Sequence, residues 1–126
     1  MDNNELKIIV IDDEDAIRRM FEFFFQDCGC YIKTAENGKQ GLQILTSEGF
    51  HAAIVDIRMP DMIGTDFILK AYEIRPETKY FIHTGLIYYN IPKELSDIGI
   101  NEDFIIHKPV LDMYDIFKAI IKQTYK

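Results

Sequence analysis

Five short apolar runs alternate along this chain with longer stretches that have helical periodicity. The runs occupy residues 7–11, 31–35, 52–55, 79–83 and 104–106. This alternation is typical of repeated βα units, in which parallel strands form one sheet with helices on both of its faces. The sequence therefore predicts an α/β fold with a doubly wound, five-stranded parallel sheet.

Helix signals lie between these runs. Asp15 is a plausible cap for the first helix, which Gly29 ends. A short helix after the Glu-Asn-Gly turn packs Leu42 and Leu45 inward, and another begins near Asp66 and stops before Pro76. Residues 85–99 hold at most a short helix starting near Pro92, and a last helix buries Ile116, Phe117, Ile120 and Ile121.

Length and charge narrow the protein class. The 126 residues fit one compact domain, so residues 1–126 are expected to form a single unit without an output domain. The net charge of -7 argues against direct binding of DNA. Without a long apolar run or a basic leader, a cytoplasmic protein that does not enter the membrane is expected, with Cys28 and Cys30 as reduced packing residues.

Polar residues follow three of the predicted strands at the point where each strand ends. Asp12 and Asp13 follow the first strand, Asp56 follows the third and Lys108 follows the fifth. Because the carboxyl ends of parallel strands lie at one edge of a sheet, where α/β folds bind ligands, these side chains should share a pocket.

This set of residues suits phosphoryl transfer. Carboxylates held together repel unless a divalent cation neutralises them, and oxygen ligands suit Mg²⁺. With the cation and the Lys108 ammonium nearby, Asp56 can attack phosphorus. The Thr84 hydroxyl and the Gly85 N–H, at the end of the fourth strand, can bind a phosphoryl oxygen. The expected product is an aspartyl phosphate.

The chain resembles the receiver domain of two-component response regulators. The matching segments are Ile-Ile-Val-Ile-Asp12-Asp13-Glu-Asp, Thr-Ala-Glu-Asn-Gly38, Ile-Val-Asp56-Ile-Arg-Met-Pro60-Asp-Met-Ile-Gly64, His-Thr84-Gly85 and His-Lys108-Pro109. The resemblance implies a flavodoxin-like fold and phosphorylation of Asp56 by a histidine kinase or a histidine phosphotransfer protein. It also implies Mg²⁺ held by Asp13, Asp56 and the backbone carbonyl of Arg58, with Asp12 acting through water, and a cis Lys108–Pro109 peptide.

The resemblance further implies a switch. Thr84 would move toward the phosphoryl group, and an aromatic residue three positions before the lysine would follow it. That position holds Ile105, and strand alternation should turn Phe104 to the other face. The segment between Thr84 and Phe104 also departs from the family pattern, so we expect an unconventional output to an effector protein through residues 86–106.

Other residues support narrower predictions. Ile17, Met20 and Pro109-Val110 could form an apolar docking patch for the phosphodonor, although Met20 also fits the helix core. Arg58, two positions after Asp56, could control access of water to the acyl phosphate. His83 and His107 should both point away from the pocket, toward one another, as packing residues, and His51 should lie at the surface.

Four alternatives remain to be weighed. A Mg²⁺-dependent phosphatase with an aspartate nucleophile commonly has a second acid where this chain has Arg58, which favours a signalling phosphoacceptor over an enzyme. An FMN-binding module is disfavoured, because the Asp-Asp-Glu-Asp loop would repel a phosphate. A degenerate receiver that only binds a partner, or a receiver excised from a longer protein, is consistent with the same residues.

Overall fold

The computed structural model describes residues 5–110 and 112–125. Within these residues, five strands alternate with five helices, and one 3-10 turn, Glu102–Phe104, precedes the last strand. The strands are β1 (Lys7–Ile11), β2 (Tyr31–Ala35), β3 (Ala52–Asp56), β4 (Lys79–Thr84) and β5 (Ile105–His107). The helices are α1 (Asp15–Asp27), α2 (Gly38–Ser47), α3 (Gly64–Ile74), α4 (Lys93–Asp97) and α5 (Met113–Thr124).

All neighbouring strands pair in parallel, in the order β2-β1-β3-β4-β5. This arrangement confirms the predicted doubly wound sheet. The strand order reverses between β1 and β3, so the chain leaves these two adjacent strands in different directions. Such a switch point opens a crevice at the carboxyl edge of the sheet. Asp12 and Asp56 both lie at this edge.

Helices cover both faces of the sheet. On one face, α1 packs Phe21 and Phe25 into the core and contacts α5 through edge-on aromatic pairs of Phe24 with Tyr114 and with Phe117. On the other face, α2 contacts α3, and α3 contacts α4. Every residue of β3 is buried, as expected for a central strand covered on both faces.

Two helix starts differ from the sequence prediction. Glu14, not Asp15, is the N-cap of α1, and it makes no side-chain cap hydrogen bond. Asp15 is the first helical residue, and its carboxylate pairs instead with Arg18 at 3.2 Å and Arg19 at 2.9 Å. Helix α3 starts at Gly64, two residues before Asp66, and ends before Pro76 as predicted.

The fifth strand starts one residue later than predicted. The Asn101 side chain accepts a hydrogen bond from the Asp103 N–H at 2.9 Å and starts the 3-10 turn, which includes Phe104. Phe104 packs against Phe81, with ring centroids 5.1 Å apart, whereas Ile105 pairs with Ile82. The two residues therefore face opposite sides of the sheet, as predicted.

The prediction that His83 and His107 face one another is wrong. His83 pairs in register with Ile106, whereas His107 pairs with Thr84, so the two imidazoles lie on opposite faces. His83 is buried and His107 is exposed. His51 is half-buried rather than fully at the surface, because its Nδ1 accepts a hydrogen bond from the Lys7 N–H at 2.9 Å.

Of the four residues that the last helix was predicted to bury, Ile116 and Ile120 are buried, whereas Phe117 and Ile121 are half-buried. The predictions about α4 and the cysteines hold. Helix α4 has only five residues and begins directly after Pro92. Cys28 and Cys30 are free thiols, and burial raises the pKa of Cys30 to about 11, which suits packing rather than reactivity. Across residues 5–110 and 112–125, no helix combines the length and the apolar character that crossing a bilayer requires.

Candidate functional site

Three carboxylates converge at the carboxyl edge of the sheet. Asp12 and Asp13 directly follow β1, and Asp56 is the last residue of β3, which pairs with β1. One oxygen from each of the three carboxylates lies within 4.8 Å of the other two. Asp12 and Asp56 are buried and Asp13 is exposed, so the cluster has a closed side and an open side.

Asp12 is the most enclosed of the three, with 1% of its surface exposed. Its N–H extends the pairing of β1 by donating to the Ala35 carbonyl at 3.0 Å. Its Oδ1 accepts a hydrogen bond from the Glu14 N–H at 2.9 Å, whereas its Oδ2 has no partner among the described residues. Burial, reinforced by the Asp56 charge, raises the pKa of Asp12 to about 6.

Asp56 meets the Lys108 side chain across the end of β4. Its Oδ1 accepts hydrogen bonds from Lys108 Nζ at 3.4 Å and from the Arg58 N–H at 3.3 Å. Burial raises the pKa of Asp56, although the Lys108 charge opposes this effect. Raised pKa values at two adjacent carboxyls mean that the site favours an added positive charge.

Lys108 is fixed by its backbone. Its N–H donates to the Thr84 carbonyl at 2.7 Å, which continues the pairing of β5 with β4. The Lys108–Pro109 peptide is cis, as expected. Besides Asp56, the Nζ atom lies 3.9 Å from Glu14 Oε1. The ammonium is therefore held among carboxylates on both sides of the crevice.

Thr84 and Gly85 line the same crevice. Thr84 is fully buried, and its Oγ1 accepts a hydrogen bond from the Leu86 N–H at 3.1 Å, which leaves the hydroxyl proton available to donate. A Cβ atom on Gly85 would meet nothing within 4 Å, so the protein itself leaves this space open. The crevice has a volume of about 520 Å³ and is lined by Asp13, Glu14, Asp56, Ile57, Arg58, Thr84, Gly85, Leu86 and Lys108.

Hydrogen bonds hold the loop between β3 and α3 in place, which the sequence did not reveal. Gly64 N–H donates to the Ile57 carbonyl at 2.9 Å, and a Cβ on Gly64 would lie 2.7 Å from the Asp56 carbonyl oxygen. Asp61 accepts hydrogen bonds at 2.9 Å from the N–H groups of Gly38 and Lys39, at the start of α2. These bonds lower the pKa of Asp61, and the loop that carries the Arg58 carbonyl is thereby tied to α2.

Arg18 is a second residue whose contacts the sequence did not reveal. Its Nη1 donates to the Asp12 carbonyl at 2.7 Å and its Nη2 to Asp15 Oδ1 at 3.2 Å. Only 15% of the side chain is exposed. Arg18 thus holds the turn that presents Asp12 and Asp13. A long side chain bonded to a backbone carbonyl six residues away has no periodic signal in the sequence.

An apolar cavity lies next to the acidic crevice. Its volume is about 410 Å³, and its lining consists of Glu14, Ile17, Met20, His83, Lys108, Pro109 and Val110. The structure thus brings together the four apolar residues that were predicted to form a docking patch. Met20 lines this cavity, is half-buried and also packs against the core.

The donor set of the crevice fits magnesium. Carboxylate oxygens from three residues converge there. Mg²⁺ prefers oxygen ligands and commonly uses one or two carboxylates together with water. A cation would also offset the burial cost that raises the pKa values of Asp12 and Asp56.

The fold and the acidic crevice define a receiver domain of the phosphoacceptor type. The family model described as "Response regulator receiver domain" matches residues 8–121. The chain therefore belongs to the response regulator receiver domain family of two-component systems. Members of this family are signalling phosphoacceptors that interact with histidine kinases or phosphotransfer proteins and with effectors, and they typically bind Mg²⁺ at an aspartate cluster.

Named relatives include short and long proteins. The chain is 33% identical over 124 residues to the probable chemotaxis protein CheY of Rhizobium etli, covering 92% of this chain and 95% of that protein. It is 38% identical over 109 residues to the probable transcriptional regulator ycf27 of Porphyra purpurea, covering 86% of this chain but 44% of that protein. The chain thus spans less than half the length of that curated relative.

Solved structures share the fold across the chain. The CheY-like response regulator receiver domain protein from Methanospirillum hungatei has a TM-score of 0.84 and 28% identity, over 97% of this chain and 95% of that one. Chemotaxis protein CheY4 from Vibrio cholerae has a TM-score of 0.79 at 23% identity, over 94% of this chain and 98% of that one, and it supports the fold alone.

Proposed function

We propose that Asp56 accepts a phosphoryl group from a phosphohistidine on a kinase or phosphotransfer protein. In this proposal Asp13, Asp56 and the Arg58 carbonyl hold Mg²⁺, and Asp12 acts through a bound water. The observation that carries the proposal is the convergence of three carboxylates within 4.8 Å, with Lys108 Nζ 3.4 Å from Asp56. A carboxylate so placed is a nucleophile whose surroundings can neutralise the charge of an incoming phosphoryl group.

The transfer has a simple balance. An Asp56 carboxylate oxygen forms a bond to phosphorus as the phosphorus–nitrogen bond of the donor breaks, and the imidazole leaves with the electron pair and takes a proton from solvent. Bound Mg²⁺ would supply positive charge for the phosphoryl oxygens. Lys108 contributes a second positive charge, since its Nζ already lies against Asp56 Oδ1.

Thr84 and Gly85 supply hydrogen-bond donors on the other side of the crevice. The buried Thr84 hydroxyl accepts a hydrogen bond from the Leu86 N–H, so its own O–H can donate a hydrogen bond to a phosphoryl oxygen. In the proposed switch, this new bond draws Thr84 toward Asp56 and shifts the segment that follows. Ile87 and Tyr88 in that segment are 80% and 91% exposed, which favours residues 86–106 as the surface that an effector protein reads.

Phosphorylation by a small donor tests the acceptor directly. The protein is incubated with acetyl phosphate or phosphoramidate and Mg²⁺, and its intact mass is measured. We expect a gain of one phosphoryl group in the wild type and none in Asp56→Asn. Asp103→Asn is the matched control, because it removes an exposed carboxylate outside the crevice. It should be labelled like the wild type.

Chelation separates the roles of the acid and the cation. Excess EDTA should abolish labelling of the wild type, because the uncompensated carboxylates would repel the anionic donor. Labelling that survives in Asp56→Asn would place the acceptor elsewhere. A wild type that no donor labels would favour the alternative of a degenerate receiver that only binds its partner.

A further inference from the structure

At the closed side of the crevice, the Asp12 and His83 side chains are buried next to each other but are not hydrogen-bonded. Asp12 Oδ2 and both ring nitrogens of His83 have no hydrogen-bond partner among the described residues. Asp12 and His83 are each 1% exposed. Their nearest polar atoms, Asp12 Oδ2 and His83 Nδ1, lie 3.9 Å apart. Buried polar atoms in native proteins are almost always satisfied, so this pair calls for an explanation.

Within residues 5–110 and 112–125, neither ring nitrogen of His83 forms a hydrogen bond. Its ring packs edge-on against Phe21 of α1, with centroids 5.4 Å apart, and it borders the cavity whose lining includes Ile17 and Met20 as well as Glu14 and Lys108. An imidazole in such an environment stays neutral, because burial disfavours its charged form. A neutral imidazole carries one N–H and one bare nitrogen, and the choice of tautomer decides which of them faces Asp12.

Distance and charge favour a direct bond. At 3.9 Å the two atoms are too far apart for a hydrogen bond, yet a bridging water would hold them roughly 4.5 Å apart. A shift of about 1 Å, within the range of side-chain adjustment, produces a normal N–H···O bond. With the proton on Nε2, the Nδ1 lone pair would instead face a carboxylate oxygen. Placing the proton on Nδ1 replaces that repulsion by an attraction.

We propose that His83 is a positioning residue for the acidic crevice: its Nδ1–H donates a hydrogen bond to Asp12 Oδ2 and fixes the orientation of that carboxylate. Asp12 Oδ1 already accepts from the Glu14 N–H, so a second donor at Oδ2 holds the carboxylate plane from both ends. A carboxylate held in this way keeps its remaining lone pairs directed at the cation or its water. The effect on the cation rests on the proposed Mg²⁺ site, whereas the hydrogen bond itself does not.

The tautomer of His83 is the first test, and it requires only the metal-free wild type. Long-range ¹H–¹⁵N spectra of the imidazole distinguish the two neutral tautomers at neutral pH. We expect the proton on Nδ1. We also expect the Asp12→Ala variant to shift the population toward the Nε2–H form, because it removes the acceptor. A wild type with the proton on Nε2 would overturn the proposal whether or not the protein binds Mg²⁺ or becomes phosphorylated.

The second test is the affinity for Mg²⁺, measured by calorimetric titration of the full chain. His83→Phe fills the space but lacks the donor, and we expect its affinity to fall about tenfold, as for other partners that orient metal ligands. His83→Asn places an amide N–H near the position of Nδ1, and it should recover most of the loss. Phe21→Leu is the control, because it loosens the packing around His83 and keeps the donor.

The outcomes separate positioning from packing. A loss in His83→Phe that His83→Asn restores and Phe21→Leu does not reproduce would support the proposal. Equal losses in His83→Phe and Phe21→Leu would mean that packing alone matters and would overturn it, as would unchanged affinity in His83→Phe. If the wild type itself failed to bind Mg²⁺, the proposed cation site would be refuted, and the tautomer measurement would still decide the His83–Asp12 bond.

Discussion

Lys108 Nζ lies 3.4 Å from Asp56 Oδ1, so the side chain that follows the edge strand β5 reaches across β4 to the end of β3. Lys108→Ala removes the one protein ammonium that the structure places against Asp56 within the described residues. We expect labelling by acetyl phosphate to slow by about 100-fold, since a charge aimed at the transferring group is lost. Lys108→Arg retains the charge with a different shape and should slow it less. The labelling rate is measured by intact mass. An unchanged rate in Lys108→Ala would exclude a role of Lys108 in phosphoryl transfer.

Replacing Asp12 by Asn should stabilise the metal-free protein. Burial raises the pKa of Asp12 from 3.8 to about 6, so the folded state binds a proton more readily than the unfolded state does. At pH 7 the ionised carboxylate therefore opposes folding, and this penalty decreases as the pH falls through 6 toward 4. We expect Asp12→Asn to gain about 1–2 kcal/mol of unfolding free energy at pH 7 and less at pH 5.

Urea denaturation in EDTA at both pH values measures this difference. Asp103→Asn, which changes an exposed carboxyl, should leave the stability nearly unchanged at either pH. A destabilised Asp12→Asn at pH 7 would show that the carboxylate is better accommodated in the folded state than its burial suggests.

Substitution by alanine should destabilise the protein at Gly64 but not at Gly85. A Cβ on Gly64 would lie 2.7 Å from the Asp56 carbonyl oxygen and 2.8 Å from Ile57 Cα, and backbone atoms cannot easily move away. We expect Gly64→Ala to cost about 1–3 kcal/mol of stability, measured by thermal unfolding. Gly85→Ala meets nothing within 4 Å and should unfold like the wild type. Equal stability of both variants would contradict the predicted close contact.

Ile17→Glu separates docking from chemistry. Ile17 lines the apolar cavity beside the crevice and belongs to neither the carboxylate cluster nor the Lys108 contact. A charge introduced at the proposed docking surface would lose its hydration when the partner docks, and it should slow phosphotransfer from a phosphorylated histidine protein at least tenfold. Labelling by acetyl phosphate should keep its wild-type rate. If both donors slowed equally, the substitution would have damaged the crevice and the docking role would be rejected.

Arg58 is expected to influence the lifetime of the acyl phosphate. Its exposed side chain lines the crevice two residues after Asp56, where it can restrict the approach of water. Arg58→Ala should therefore hydrolyse faster by several-fold, measured as the decay of the phosphorylated mass after removal of the donor. Arg58→Lys is the control that retains a long cationic side chain. Indistinguishable decay in Arg58→Ala and the wild type would refute the idea.

The sheet and the main polar residues could be predicted because their signals are local. Apolar runs mark the strands, and parallel pairing then places Asp12, Asp56 and Lys108 at one edge without further information. The start of β5 was displaced because the Asn101 side chain forms a turn that competes with the strand for Phe104. Such competition between a side-chain hydrogen bond and strand pairing has no clear periodic signature.

The residues that the sequence did not indicate make contacts with other segments of the chain. Asp61 accepts a hydrogen bond from the Lys39 N–H at the start of α2, 22 residues away, and Arg18 reaches back to the Asp12 carbonyl. His83 was correctly expected to be buried, but its neighbour Asp12 depends on the relative positions of β1 and β4, which are separated by β3. Distances between side chains on non-adjacent strands are set by packing and do not follow from any single segment.

The hydrogen-bonded loop between β3 and α3 makes one side of the crevice more firmly held than the other. Asp61 and Gly64 fasten the side that carries Arg58 to α2 and to the end of β3. The opposite side, which begins at Leu86, is fastened at its start by one bond to the Thr84 hydroxyl, the same group that a phosphoryl oxygen would engage. Phosphorylation of Asp56 would therefore meet a fixed loop on the Arg58 side, whereas a movement of Thr84 toward the phosphoryl group would carry its bonded neighbour Leu86 with it. The displacement should thus be directed toward Ile87 and Tyr88.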